Sequence, residues 1–303
     1  MSLRPTLDMP ADRTLTAATT LSDLIALGKP QITFMVFITA LGGMWLSPMS
    51  LQLGPSLFAL FSITLVVYGA NALNMYLERD TDALMARTRN RPLPAGRMEP
   101  EVALRVGIAA SVLAVGLLSF GVNPLTGFLA AGSLAIYVLI YTPWKRRATL
   151  ALLIGAIPGA APPLLGWTAA TGRVDPAGLS RFFILFVWQI PHFLAISIFR
   201  REDYIRAGMK IVPGVRGIAA TKLRIVLYAA LLGVVTLAPY TMGLASPTYL
   251  LVALALAIGF LALAFAGLRS QPVALDERWA RRLFFSTLFH LPLVFAALAI
   301  FHR

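Results

Sequence analysis

The chain contains no cysteine, and only three of its 303 residues are histidine. The absence of cysteine removes disulfide scaffolds, thiolate metal sites and Cys nucleophiles. Charge is also scarce. Asp, Glu, Lys and Arg make up 13% of the chain, against ~25% in soluble domains. That excludes a soluble globular domain, and 58% hydrophobic content excludes a disordered one. Acids are scarcer than bases, 13 against 26. No GxGxxG, Walker A, GxSxG or HExxH pattern stands out. Residues 1–30 are polar with no apolar core behind a basic start, so no cleaved signal peptide is expected.

What is present is long apolar runs and a mean hydropathy of +0.77. Nine spans are read at 31–47, 55–77, 102–120, 124–141, 149–170, 179–199, 224–243, 247–268 and 282–301. Each is close to the ~20 residues that cross a ~30 Å hydrocarbon core as a helix. The short alternating segments of a barrel are missing. The fold class expected is an all-α membrane bundle of nine transmembrane helices. A polar segment, 1–30, precedes a single intramembrane domain, 31–303.

The net charge of +13 would suggest nucleic acid in a soluble chain. Its placement argues otherwise. With the N-terminus cytoplasmic, all but three of the Lys and Arg residues (Arg173, Arg181, Arg303) fall on the cytoplasmic side. All but one of the acids, Asp175, do the same. This is the positive-inside pattern, with the C-terminus outside and no nucleic-acid partner.

Two long polar loops share that side. In the first, Asn74, Glu78 and Asp82 are four residues apart and fall at roughly 0°, 40° and 80° around a helix. Asp80, at about 240°, falls off that face. Oxygen ligands alone suit a hard cation such as Mg²⁺, which shares its shell with substrate phosphates. Arg87, Arg89, Arg91 and Arg97 follow closely. Carboxylates for metal beside guanidiniums for phosphate describe a diphosphate site. The same charges also suit an ordinary solvated basic loop.

In the second loop Glu202 and Asp203 lie among Arg200, Arg201, Arg206 and Lys210. The position four after Asp203 is Ala207, so this is the weaker metal candidate. His192 follows Pro191 beside Trp188, Gln189 and Phe193. A proline within a span frees a carbonyl, and an ionisable residue there is a functional candidate. It suits haem iron, a substrate carboxylate, or a bond to a neighbouring helix. Lys145, Arg146 and Arg147 suit phosphate or simple anchoring at a membrane face.

Taken together these residues resemble a known family. NMYLERDTDALMARTRNRPLPAG, from Asn74, is similar to the first aspartate-rich motif of the UbiA superfamily of intramembrane prenyltransferases. YTPWKRRATL from Tyr141, WQIPHF from Trp188 and DYIRAGMKIVP from Asp203 resemble its haem-farnesylating branch. The resemblance runs from Lys29-Pro30 to the last span. It implies a UbiA-like bundle whose active site opens to the cytoplasm. It implies transfer of a farnesyl group from farnesyl diphosphate to the vinyl group of haem B, with water addition giving haem O.

By the same resemblance Asn74, Glu78 and Asp82, with Asp80 as a further candidate, hold Mg²⁺ and diphosphate. Arg87 and Arg91 bind phosphate, with Lys145 and Arg146 as further candidates. Asp203 and Tyr204 complete the polar cap, and His192 contacts haem. The partners implied are farnesyl diphosphate, haem B, the lipid bilayer, and haem A synthase or an oxidase assembly protein. The membrane implied is a bacterial cytoplasmic (inner) membrane. The family's central Asp is Glu78 here, one methylene longer. Only Asp203 remains of the second motif's acid pair, which argues against a 4-hydroxybenzoate acceptor. Two alternatives stay open: a quinone-precursor or other aromatic acceptor, and a small-molecule transporter.

Overall fold

The structure is a computed structural model and describes residues 19–269 and 272–302. Of the 1–30 segment, residues 1–18 lie outside the described residues, as does Arg303. The helices are α1 (Leu21–Leu27), α2 (Pro30–Trp45), α3 (Leu53–Ala83), α4 (Pro100–Gly116), α5 (Pro124–Ala135), α6 (Thr142–Trp144) and α7 (Ala151–Thr171). They continue with α8 (Pro176–Phe199), α9 (Arg201–Arg206), α10 (Val212–Val215), α11 (Gly217–Thr241), α12 (Pro247–Ala266) and α13 (Val273–Ile300). Two π-helical stretches, Leu117–Val122 and Ile136–Tyr141, extend α4 and α5.

Their starts follow local chemistry. Proline opens α2, α4, α5, α8 and α12, where its missing N–H costs nothing. Asn123 and Asp175 accept from the first-turn N–H groups of α5 and α8. Asp175, the outlier of the charge pattern, is thus an N-cap.

Among the described residues eight helices are long and apolar enough to cross a membrane, and nine if α1 and α2 count as one span bent by 52°. The bend sits at Lys29, whose φ of 52° is left-handed. The order matches the nine expected spans, but three boundaries differ by six residues or more. Helix α3 runs to Ala83 rather than 77, α11 begins at Gly217 rather than 224, and α13 begins at Val273 rather than 282.

Helices α7 and α8 form the centre. Helix α7 packs on α2, α5 and α8, and α8 packs on α11 and α13. Close approach of α2 and α7 needs glycine. A Cβ on Gly43 would collide with the Pro163 carbonyl, and one on Gly166 with the Ala40 carbonyl. The outer surface is apolar, with Phe120, Phe128, Ile258 and Phe289 among its large exposed side chains. Such a belt belongs in lipid, so this is an integral membrane protein.

Candidate active site

A cavity of about 420 Å³ lies between α2, α3, α7 and α8. Lys29, Asn74, Glu78, Asp82, Arg87, Arg91, Lys145, Tyr204 and Lys210 line its charged part. Val36, Val66, Leu134, Ala161, Pro162 and Leu165 line its apolar part. The α7 stretch Gly155–Pro162 supplies a wall of glycine, alanine and proline, which leaves room along the helix. The π-helical turn at Ile136–Tyr141 presents Tyr137 and Tyr141 to the cavity, with rings 5.6 Å apart at 28°. A wider turn of this kind often marks a functional site.

The continuation of α3 to Ala83 turns the four-residue spacing into geometry. Asn74, Glu78 and Asp82 are all buried and on one face. Each carries a cation from another segment. Lys29 Nζ donates to Asn74 Oδ1 at 2.6 Å, Lys145 lies against Glu78 Oε1, and Arg91 Nη1 donates to Asp82 Oδ2 at 2.6 Å. Lys145 and Glu78 form a buried ion pair. Burial, with Lys29 and Arg146 close by, pushes the Lys145 ammonium down from its ordinary range.

Three hard oxygen donors on one face fit a divalent cation. The protein's own cations now occupy them, and the same cations fit phosphate oxygens. Asn74 is fixed further by its amide donating to Thr142 Oγ1 at 3.2 Å.

The other candidates are placed as follows. Asp203 pairs with Arg200 at 3.8 Å and borders a small recess with Met85, Arg87 and Tyr204, beside the main cavity. Arg146 is exposed and does not line the cavity. Asp80 is also off it. Its side chain is 89% exposed and faces Arg79 at 4.0 Å. Asp80→Ala is therefore expected to change turnover less than about twofold, as surface pairs contribute little; a tenfold loss would return Asp80 to the metal shell.

His192 is buried against α13. Its Nδ1 is 2.7 Å from Thr287 Oγ1, and its ring stacks on Trp188 at 4.8 Å. Phe193 lies edge-on to it and lines the cavity, whereas His192 itself does not. Residues that sequence reasoning did not place here are Lys29, Tyr137, Tyr141, Gln189 and Lys210. The Lys210 N–H donates to the Lys145 carbonyl at 3.2 Å, which ties the second polar loop to the turn between α6 and α7.

A membrane-embedded bundle around a chamber charged at one end and apolar at the other defines an intramembrane enzyme for substrates with an anionic head and an apolar tail. A family model described as "UbiA prenyltransferase family" matches residues 36–299, and the chain belongs to that family. The protoheme IX farnesyltransferase of Sorangium cellulosum (strain So ce56) is 50% identical over 281 residues, covering 88% of this chain and 99% of that protein. That of Anaeromyxobacter dehalogenans (strain 2CP-C) is 48% identical over 278 residues, covering 92% and 93%.

Solved structures share the fold. A digeranylgeranylglyceryl phosphate synthase superposes with a TM-score of 0.79 at 16% identity, covering 92% of this chain and 97% of that one. A UbiA homolog from Archaeoglobus fulgidus bound to GPP and Mg²⁺ superposes with a TM-score of 0.65 at 17% identity, covering 91% and 99%.

Proposed function

We propose that the protein transfers the farnesyl group of farnesyl diphosphate to a vinyl group of haem B, with addition of water, to give haem O. The observation that carries this reading is the cavity, with three cation-paired oxygen ligands above an apolar chamber. The acceptor rests on the relatives' name and on the WQIPHF and DYIRAGMKIVP stretches. Lys29, Arg87, Arg91 and Lys145 take the diphosphate oxygens, and Asp203 and Tyr204 close the polar side. Asn74, Glu78 and Asp82 hold the divalent cation, assigned as Mg²⁺ from the all-oxygen donor set. The bound cation supplies positive charge to the departing diphosphate. The chain's own cations add to that field, and the apolar wall keeps stray water from the allylic cation.

The charge pattern supports a cytoplasmic N-terminus and an active site facing the cytoplasm of a bacterial inner membrane. Haem A synthase or an oxidase assembly protein is the fitting recipient of the product. The domain is single and spans 31–303.

His192 contacts haem in this reading. Thr287 holds Nδ1, which leaves Nε2 as the free ring nitrogen. Trp188, Phe193 and Phe284 around it suit a flat porphyrin. His192→Ala is expected to weaken haem binding about tenfold and to leave farnesyl diphosphate affinity intact; unchanged haem affinity refutes the role. To test the acceptor, membranes receive farnesyl diphosphate with haem B or with an aromatic quinone precursor. Farnesylation of haem alone supports the reading. Farnesylation of the aromatic alone, or solute flux into liposomes without prenyl transfer, overturns it.

A further inference from the structure

Gln189 sits inside the apolar 24-residue helix α8 and is buried. An amide in that setting must be hydrogen-bonded or it is costly. Its Nε2 donates to the Ala156 carbonyl at 2.8 Å and to the Leu185 carbonyl at 3.3 Å. Both amide hydrogens are thereby used. The two carbonyls also fix which way the amide faces, because an oxygen in that position would meet two oxygens.

The other end of the amide is Oε1. Among the described residues no donor lies within hydrogen-bond reach of it. Gly159 makes space for it, since a Cβ there would collide with Oε1. Gly159 and Gln189 both line the cavity. The level is set by α7. A Cβ on Gly155 would meet the ring of Tyr141, the residue four before Lys145. Gly159 lies four residues, about 6 Å, further along the helix. The free acceptor therefore sits about one turn below Tyr141, close beneath the charged head. The cavity that both residues line is otherwise apolar at Leu134, Ala161, Pro162 and Leu194, and Tyr137 lines it too.

We infer that the Gln189 carbonyl holds and orients the water that adds to the prenylated haem. This rests on the proposed haem O reading. In that reaction the C1–O bond of farnesyl diphosphate breaks, and its electron pair leaves with diphosphate. The vinyl π pair forms the new carbon–carbon bond to C1. The positive charge is then on the vinyl carbon next to the porphyrin. A water lone pair closes on that carbon, and the released proton goes to an oxygen of the departed diphosphate. Nothing is oxidised or reduced. An amide oxygen suits the task because it accepts an O–H, which points the water's lone pair outward, and it does not itself take the proton. Without a held water the cation loses a proton from the neighbouring carbon, and the product is an alkene lighter by one water.

The test is the ratio of hydrated to unhydrated product, read by mass, from full-length protein given haem B, farnesyl diphosphate and Mg²⁺. Two variants are compared with the wild type. Gln189→Met removes the acceptor at similar volume. Gly159→Ala keeps every polar group but displaces Oε1. Both are expected to lower the ratio about tenfold, the scale of one lost hydrogen bond, with farnesyl diphosphate affinity kept. An unchanged ratio in either folded variant overturns the inference. So does loss of all product with farnesyl diphosphate still bound, because Gln189 would then act before hydration. If Gln189→Met does not fold, Gly159→Ala decides alone. Failure of the wild type to farnesylate haem at all is a different result, and it removes the functional reading itself.

Discussion

Asp82→Ala is expected to lower prenyl transfer about a thousandfold and to leave the bundle folded. Asp82 is 1% exposed and accepts from Arg91 Nη1 at 2.6 Å. Its loss takes away one oxygen ligand of the proposed cation and one anchor of a phosphate-facing guanidinium. The folding cost is small because the Arg91 side chain keeps 24% exposure and reaches water once unpaired. The measurement is turnover beside thermal unfolding in detergent. Full activity in the variant removes the metal assignment, whereas an unfolded variant shows that Asp82 is structural.

The second large effect lies away from the cavity. Lys222 of α11 and Asp276 of α13 form a buried pair at 2.5 Å, their side chains 5% and 8% exposed. Lys222 Nζ also donates to the Arg269 carbonyl at 3.1 Å and lies 5.9 Å from the Trp279 ring. The pair joins the starts of two long helices. Asp276→Ala leaves a buried ammonium without a counter-charge, so a loss of about 3–5 kcal/mol is expected. Replacing both partners together, Lys222→Met with Asp276→Leu, is expected to restore most of it. Thermal or denaturant unfolding reads both. A single variant as stable as wild type, or a double variant no better than the single, contradicts the account. Neither residue lines the cavity, so prenyl transfer by the folded fraction should persist.

The spans were legible because hydropathy alone marks a helix that faces lipid. Their ends were less so, for a physical reason. Charged residues end an apolar run in the sequence, yet Glu78 and Asp82 extend α3 because Lys145 from a distant segment and Arg91 from the following loop meet them there. The four-residue spacing of Asn74, Glu78 and Asp82 is enough to put all three on one face of α3, and that face is buried. In the sequence Lys29 marks only where the resemblance begins. Its left-handed backbone and the α1–α2 bend carry it 45 residues along the chain onto Asn74, and no local pattern encodes that contact.

Asp80 shows the same spacing logic working in reverse. Its position, two residues from each neighbouring ligand candidate, turns it to the exposed side. His192 was marked by its proline and aromatic neighbours, but its distance from the chamber wall depends on how α13 packs. Gln189 passed as part of a motif. Its meaning comes from Ala156 and Gly159 on another helix, which the linear chain does not bring together.

The most direct test of the central claim is to incubate membranes containing the protein with haem B, farnesyl diphosphate and Mg²⁺ and to read the haem by mass. The account expects haem O to appear, to vanish when EDTA removes the metal, and to return when Mg²⁺ is restored. Haem B left unmodified, under conditions where a working haem farnesyltransferase makes haem O, contradicts it.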